Sequence, residues 1–139
     1  MFHAGVVIVS DENGRLLILK RSDAVDHFAG YWNFPGGRPD DGEDPADCAA
    51  RECFEESGIK IDPNDLYFID SIKRSDEKHI YFFAYENCNQ PVVIDWESSD
   101  YKWIFASELS STKMIPMPKE FIEMLSIHFN NNLKNENKT

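Results

Sequence analysis

The segment from Gly37 to Ile59, which reads GRPDDGEDPADCAARECFEESGI, constrains this chain more than any other. If its second half is helical, Glu52, Glu55 and Glu56 lie at positions i, i+3 and i+4, so three carboxylates share one face. Like charges this close repel one another unless a cation lies among them. A hard divalent cation such as Mg²⁺ prefers oxygen ligands, so the pattern predicts a metal site.

The sequence also indicates where this helix begins and ends. Asp44 is a plausible N-cap, and Pro45 suits the first helical position, where no amide donor is needed. Asp47 lies in the first turn, where the helix dipole favours negative charge. Gly58 is typical of the residue that ends a helix. We therefore predict a helix from Pro45 to just before Gly58.

The spacing of the fixed residues resembles the Nudix box, G-x5-E-x7-R-E-U-x-E-E-x-G-U, in which U is apolar. Every fixed position is met and the apolar positions hold Cys53 and Ile59; the fixed residues are Gly37, Glu43, Arg51, Glu52, Glu55, Glu56 and Gly58. The alternative, an ordinary solvated helix face, does not explain why the glycine, the arginine and the upstream glutamate also match in register.

The resemblance implies an α/β fold, a Nudix-type α/β/α sandwich with a mixed sheet between helices. It also implies hydrolysis of a diphosphate linkage in a nucleoside diphosphate linked to another group X, with Mg²⁺ or Mn²⁺ required. The chemistry agrees, because carboxylates cannot bind phosphates directly. Metal ions held by carboxylates offset the phosphate charge and lower the pKa of bound water.

The family roles transfer by position. Glu55 and Glu56 are the first candidates for metal ligands, and Glu52 either binds metal or orients and deprotonates the water. The backbone carbonyl of Gly37 is a further candidate metal ligand. Arg51 corresponds to the arginine that pairs with a nearby box carboxylate. The supporting positions are Gly36, Glu43 and Gly58.

A second group of candidates follows the box in the chain. Glu97 lies six residues ahead of Trp103, as is common in the family, where a carboxylate from this loop binds metal or acts as general base. We expect Glu97 to take that role, with Asp100 as the alternative. A polar loop that leads into a strand with a core Trp103 explains the pattern equally well.

A third group precedes the box and consists of candidate substrate contacts. Phe28, Tyr31 and Trp32 are aromatic and suited to stacking on a base. The stronger expectation is that Trp32 and Phe34 alternate faces of a strand, with at least one of them in the core. Lys20 and Arg21, at the end of a predicted strand, are candidates for phosphate binding, and a solvated strand end is as good an explanation. His27 is a candidate substrate contact on the intervening loop. The residues we expect to contact the substrate are Arg21, His27, Phe28 and Trp32.

The substrate is the least constrained feature. The proline typical of ADP-ribose hydrolases is absent near Arg74, the tyrosine typical of dinucleoside polyphosphate hydrolases is absent near Ser75, and the marker of NADH hydrolases is missing. The remaining expectation is a MutT-like enzyme that converts a nucleoside or deoxynucleoside triphosphate to monophosphate and pyrophosphate. The alternatives are a nucleotide-sugar or dinucleotide pyrophosphatase, and a Nudix-fold nucleotide-binding module without turnover.

Composition excludes some classes of partner. A net charge of -11 argues against binding polymeric nucleic acid, which requires clustered Lys and Arg. The three cysteines contain no CxxC pair, so a reducing compartment is expected. With no apolar run long enough for a membrane span and no leader pattern, we expect a cytoplasmic protein that acts on a small nucleotide as a monomer or homodimer.

The remaining elements follow from hydrophobic periodicity. Strands are predicted at 4–10, 15–21, 31–34, 66–72, 80–85 and 101–105, and an amphipathic helix at 116–129. We expect one domain from residue 1 to 129. The polar, Asn-rich segment 130–139 is predicted to be a disordered C-terminal tail.

Overall fold

The computed structural model describes residues 2–74 and 76–137, with only the backbone described for residue 2 and for 130–137. The described residues form seven strands and two α-helices, with short 3-10 turns at Pro63–Asp65 and Ala106–Ser111. In chain order they are β1 Phe2–Asp11, β2 Leu16–Arg21, β3 Trp32–Asn33, β4 Gly36–Gly37, α1 Pro45–Ser57, β5 Tyr67–Lys73, β6 His79–Cys88, β7 Ser98–Ile104 and α2 Lys119–Asn137.

The strands form one mixed sheet in the order β3-β2-β1-β6-β5, with β4 paired to β1 and β7 paired to β2. The pairing of β1 with β6 is parallel, and the other pairs are antiparallel. A parallel neighbour requires a crossover connection, and the segment that contains α1 supplies part of it. The predicted mixed sheet is therefore confirmed.

The two faces of the sheet carry separate apolar cores, because side chains alternate along each strand. Val7 and Val9 of β1 face α1 and pack with its Ala49 and Cys53. Ile8, between them, faces the opposite side and joins the core that α2 covers through residues such as Phe121, Leu125 and Phe129. One helix thus lies on each face, which confirms the predicted α/β/α sandwich.

Helix α1 begins and ends where its sequence predicts. The carboxylate of Asp44 accepts a hydrogen bond from the Asp47 amide at 2.9 Å, and Gly58 has φ of 74° with its amide bonded to the Phe54 carbonyl. The helix approaches β1 closely at Gly5, where an added Cβ would lie 2.7 Å from the Pro45 carbonyl oxygen. This contact fixes α1 against the centre of the sheet.

One expected boundary changes in the structure. Helix α2 begins at Lys119 rather than at residue 116, because the prolines at 116 and 118 precede it. Its backbone continues to Asn137, into the segment predicted to be a disordered tail. The side chains from 130 onward and all of residues 138 and 139 lie outside the described residues, so the tail and the domain limit at 129 stay predictions.

Among the described residues, no helix is both long enough and apolar enough to cross a membrane.

Candidate active site

The glycine pair of β4 joins the sheet to the carboxylate face of α1. Gly36 and Gly37 pair with Val6 and Gly5 of β1, and the Gly36 amide donates a hydrogen bond to Oε2 of Glu56 at 3.0 Å. In this region the sequence predicted a strand only at 31–34, and glycine, which is depleted from strands, gave no signal for a strand at this pair. The pairing with β1 holds the start of the box against the helix that carries its glutamates.

Gly37 leaves the space in which the carboxylate of Glu52 lies. A Cβ added to Gly37 would be 2.5 Å from both Cδ and Oε2 of Glu52. The carbonyl of Gly37 accepts a hydrogen bond from Sγ of Cys48 at 3.3 Å, and burial raises the pKa of that thiol to about 11, so it remains a donor. The carbonyl predicted to bind metal therefore has a thiol partner in this structure.

Arg51 lies at the centre of the box carboxylates. Its guanidinium forms a fork with Glu43, with Nε to Oε2 at 2.8 Å and Nη2 to Oε1 at 2.9 Å. It also donates from Nη1 to Glu52 at 3.0 Å and to Glu55 at 3.1 Å, and from Nη2 to the Arg38 carbonyl at 3.0 Å. A fork of two charge-assisted bonds gives this arginine a fixed orientation.

These contacts shift the acid–base properties of the pair. The hydrogen bond from Arg51 lowers the pKa of Glu43 from its ordinary 4.5 to about 2, and it raises the pKa of the Arg51 guanidinium. Arg51 thus pairs with the box carboxylate Glu43, and its role in catalysis stays a prediction. Arg51 lies on α1 and Glu43 on the loop before it, and their side chains are 27% and 15% exposed.

Glu56 is the most deeply buried carboxyl group of the box, with 5% of the residue exposed. Burial raises its pKa well above the ordinary value, and the nearby charges of Glu52, Glu97 and Asp95 add to the shift, while the Gly36 amide opposes it. Within the described part of the chain, Glu56 makes no ion pair with Lys or Arg. A buried carboxylate surrounded by like charges requires a cation for ionisation at neutral pH.

Glu97 joins this group from a different part of the fold. Burial raises its pKa, and the neighbouring charges include Asp95, Glu55 and the opposing Arg21. Glu97 in turn raises the pKa of Glu52, together with burial and Glu55. The alternative, Asp100, is exposed on β7 opposite Lys20 and does not contribute to these shifts. Of the two candidates, the structure brings only Glu97 to the box.

The site has the donor chemistry for a divalent cation. Four carboxylates contribute hard oxygen atoms, which suit Mg²⁺ or Mn²⁺. Among the described residues, no three side chains of His, Cys, Asp or Glu surround a common point closely enough to hold an ion. Glu52 and Glu55 both accept hydrogen bonds from Arg51. The single charge of Arg51 is thus shared among several carboxylates, whereas Glu56 has no Lys or Arg partner among the described residues.

The predicted substrate contacts separate into two groups. Trp32 belongs to the core on the α2 face, with 9% exposed and the Lys102 ammonium 4.5 Å from the ring centroid, and its role as a substrate contact stays a prediction. Phe28 is 47% exposed, and Tyr31 packs edge-on against it at 5.3 Å. Arg21 lies near Glu97, and its Nε donates to the His27 carbonyl, which holds the loop between them.

A pocket that sequence reasoning missed adjoins the glycine pair on the α2 face. It has a volume of about 210 Å³ and an apolar lining that includes Val6, Phe34, Phe82 and Met117. Asn33 supplies an amide at its wall. The lining comes from segments distant in sequence, so no local pattern predicts it.

A family model described as the NUDIX domain matches residues 1–125. The chain belongs to the Nudix family. It is 31% identical over 104 residues to a putative 8-oxo-dGTP diphosphatase of Bacillus subtilis, which covers 74% of this chain and 66% of that protein. It is 46% identical over 57 residues to a CMP-5'-(N-acetyl-N-hydroxy-3-aminopropyl)phosphonate hydrolase of Streptomyces rubellomurinus, covering 41% of this chain and 27% of that protein.

The fold is similar to that of solved members of the family. The MutT protein of Methanosarcina mazei Go1 superposes with a TM-score of 0.66 and 24% identity, over 98% of this chain and 94% of that one. The chain spans two thirds or less of the two curated relatives described above. Nudix hydrolases act on nucleoside diphosphate-linked substrates and generally use divalent metal cations.

Proposed function

We propose that this Nudix protein is a metal-dependent pyrophosphohydrolase that cleaves a diphosphate linkage in a nucleoside diphosphate linked to a group X. Its first candidate substrate is a nucleoside or deoxynucleoside triphosphate, which water converts to monophosphate and pyrophosphate. The observation that carries this proposal is Glu56, a buried carboxyl group that faces further carboxylates and has no cation among the described residues. Buried carboxyl groups with strongly raised pKa values cluster at functional sites.

The ligands we propose for the metal are Glu52, Glu55 and Glu56, with Mg²⁺ as the expected ion and Mn²⁺ as a substitute. When bound, such an ion offsets the phosphate charge and lowers the pKa of bound water. Gly37 provides space for Glu52, and its carbonyl remains a candidate ligand. Glu97, whose pKa is raised by burial, suits a group that accepts a proton from water. Glu97 is therefore our candidate for the general base, with Glu52 as the alternative.

Arg51 orients the ligands rather than binding phosphate in this proposal. Its fork to Glu43 and its bonds to Glu52 and Glu55 fix the direction of both glutamates before substrate arrives. Such preorganisation reduces the cost of assembling the site during the reaction. Arg21, beside Glu97, is the nearer candidate for contact with phosphate.

The nucleoside is proposed to occupy the pocket beside the glycine pair. Its walls are apolar and include two phenylalanines, and Asn33 offers a donor and an acceptor, which suits a nucleobase. Gly36 lines this pocket and also bonds Glu56, so the base and the diphosphate would lie on neighbouring sites. The Bacillus subtilis relative is named as a putative 8-oxo-dGTP diphosphatase, which supports an oxidised deoxyguanosine triphosphate as one candidate substrate.

A screen of hydrolysis with Mg²⁺ tests the proposal. It covers normal and oxidised deoxynucleoside triphosphates, nucleotide sugars, ADP-ribose and dinucleoside polyphosphates. The variant Glu56→Gln is the test, and Glu123→Gln, an exposed position on α2, is the matched control. We expect triphosphate turnover that Glu56→Gln loses by at least about 1000-fold and Glu123→Gln retains. Turnover that is equal in both variants would refute the site.

A nucleotide-sugar or dinucleotide pyrophosphatase is the second candidate. The Streptomyces relative is named for a CMP-linked compound, which supports a substrate in which X is an organic group. Turnover of these compounds without turnover of triphosphates would keep the chemistry and change the substrate. Mg²⁺-dependent nucleotide binding without any product would instead indicate a binding module.

A further inference from the structure

Trp96 is the exposed tryptophan of this chain. The sequence contains three tryptophans, of which Trp32 is 9% exposed and Trp103 packs partly buried against the core on the α1 face. Trp96 is 66% exposed. A large aromatic side chain in solvent leaves apolar surface exposed to water, and tryptophan is enriched among the residues that contribute most to binding. Nothing in the proposed chemistry above uses it.

The backbone that carries Trp96 is firmly held. Val92 and Ile94, just before it, pack against the core, and the amide of Val93 donates to the Ser57 carbonyl at 2.7 Å. The carbonyl of Trp96 accepts a hydrogen bond from Oγ of Ser22 at 2.9 Å. The exposed ring is therefore presented from a fixed backbone, which limits the entropy lost on binding a ligand.

Trp96 is also next to the carboxylate site. Asp95 and Glu97 flank it in a turn closed by a hydrogen bond from Ser98 to Asp95 at 3.3 Å. Both flanking carboxylates interact electrostatically with Glu56. Glu56 in turn bonds the amide of Gly36, which lines the apolar pocket. Both the pocket, through Gly36, and the turn that carries Trp96, through Asp95 and Glu97, are therefore near Glu56.

We propose that Trp96 is a specificity-determining residue that contacts the group X, and that it favours an X with a flat or apolar face, either a sugar ring or a second nucleoside. The proposal rests on the proposed function. A nucleotide with its base in the pocket and its diphosphate at the carboxylates extends its far end toward the turn at Trp96. Inorganic pyrophosphate offers no face for stacking, whereas sugars and bases do.

The kinetic test compares Trp96→Ala and Trp96→Phe with the unchanged chain on ADP-glucose, diadenosine tetraphosphate and dATP. We expect Trp96→Ala to lower kcat/KM about 10-fold for the first two, mainly through KM, and to leave dATP within about 2-fold. Trp96→Phe keeps an aromatic face and is expected to restore most of the loss. An equal loss on all three compounds, or no loss on any, overturns the proposal.

A binding test does not depend on turnover. Acrylamide quenches the emission of exposed tryptophan, and ADP-glucose with Mg²⁺ should protect the unchanged chain from quenching while dATP should not. Trp96→Phe should abolish this protection. Light scattering of Trp96→Ala is the control, because a change from dimer to monomer would identify Trp96 as an interface residue and overturn the proposal. If Trp96→Ala leaves all kinetics unchanged while Glu56→Gln abolishes turnover, this inference fails and the proposed function stands.

Discussion

The adjacent glycines of β4, Gly36 and Gly37, allow a test that separates an effect on stability from an effect on the proposed site. An alanine Cβ at Gly36 would lie 2.5 Å from the Gly5 carbonyl oxygen and 2.7 Å from Cα of Val6, both on the backbone of β1. The same Cβ at Gly37 would lie 2.5 Å from the carboxylate of Glu52, the end of a flexible side chain. One methyl group therefore meets the sheet at one position and the proposed site at the next.

We expect Gly37→Ala to reduce mainly the reaction rate and Gly36→Ala to reduce mainly the stability of the fold. In Gly37→Ala, Glu52 must withdraw by about 1 Å to reach an ordinary contact near 3.4 Å, so the cost in stability should stay below about 1 kcal/mol. Displacement of a catalytic group by about 1 Å reduces rate by about 100-fold. In Gly36→Ala, the strand pairing itself must shift, which costs about 2–3 kcal/mol and lowers Tm by about 10 °C.

Thermal unfolding and kcat for the most active substrate measure the two effects. We expect Gly37→Ala to retain nearly the original Tm and to lose kcat, and Gly36→Ala to lose Tm. Titration with Mn²⁺ followed by electron paramagnetic resonance should also show weaker binding in Gly37→Ala. The reasoning is refuted if Gly37→Ala keeps full kcat, or if the two variants lose the same amount of Tm.

Three further predictions follow from the charges of the site. Glu56→Gln should raise the Tm of the metal-free protein at pH 8, because it removes a buried charge. The same variant should abolish the gain in Tm that Mg²⁺ gives the unchanged chain. An unaltered gain would contradict the assignment of Glu56 as a metal ligand. The pKa of Glu43 falls from 4.5 to about 2 on folding, so the stabilisation from this group should be fully present above pH 4.5 and be lost as pH falls toward 2. In Glu43→Gln, Tm should therefore depend less on pH in the acid range than it does in the unchanged chain. An identical pH dependence would be evidence against the pairing of Glu43 with Arg51. Arg51→Lys cannot form the fork of two hydrogen bonds to Glu43 and should lower kcat about 10- to 100-fold. Steady-state kinetics on the same substrate measures this effect, and full activity in the variant would contradict the prediction.

Helix α1 shows how much local sequence predicts. Its N-cap at Asp44, its first residue Pro45 and its end at Gly58 agree with the structure, because capping depends on residues close in sequence. The same periodicity correctly brought the box glutamates to one face. Membership of the family is confirmed for the same reason, since the box is a continuous segment with fixed spacing.

Contacts between distant segments were not accessible in this way. The sequence predicted a core position for at least one of Trp32 and Phe34, but the burial of both depends on α2 and on the bridge from Trp32 to Met114, which a local pattern does not reveal. The pairing of the glycines with β1 was missed, since glycine gives no strand signal. Glu97 and Asp100 were separable only when the fold placed one near the box and the other on an exposed strand surface. The roles of these residues, the oligomeric state and the cellular location stay predictions.

The sequence by itself determined the chemistry available to this protein: a capped helix, three carboxylates on one face, and an arginine and glycines at fixed spacing from them. These are determined locally, because side-chain direction on a helix follows from its 3.6-residue period. Only the tertiary structure decided which carboxylates are buried, that Glu97 joins them, and that an apolar pocket adjoins the glycine pair. Burial and long-range charge depend on what packs against each residue, and that is set by the sheet as a whole.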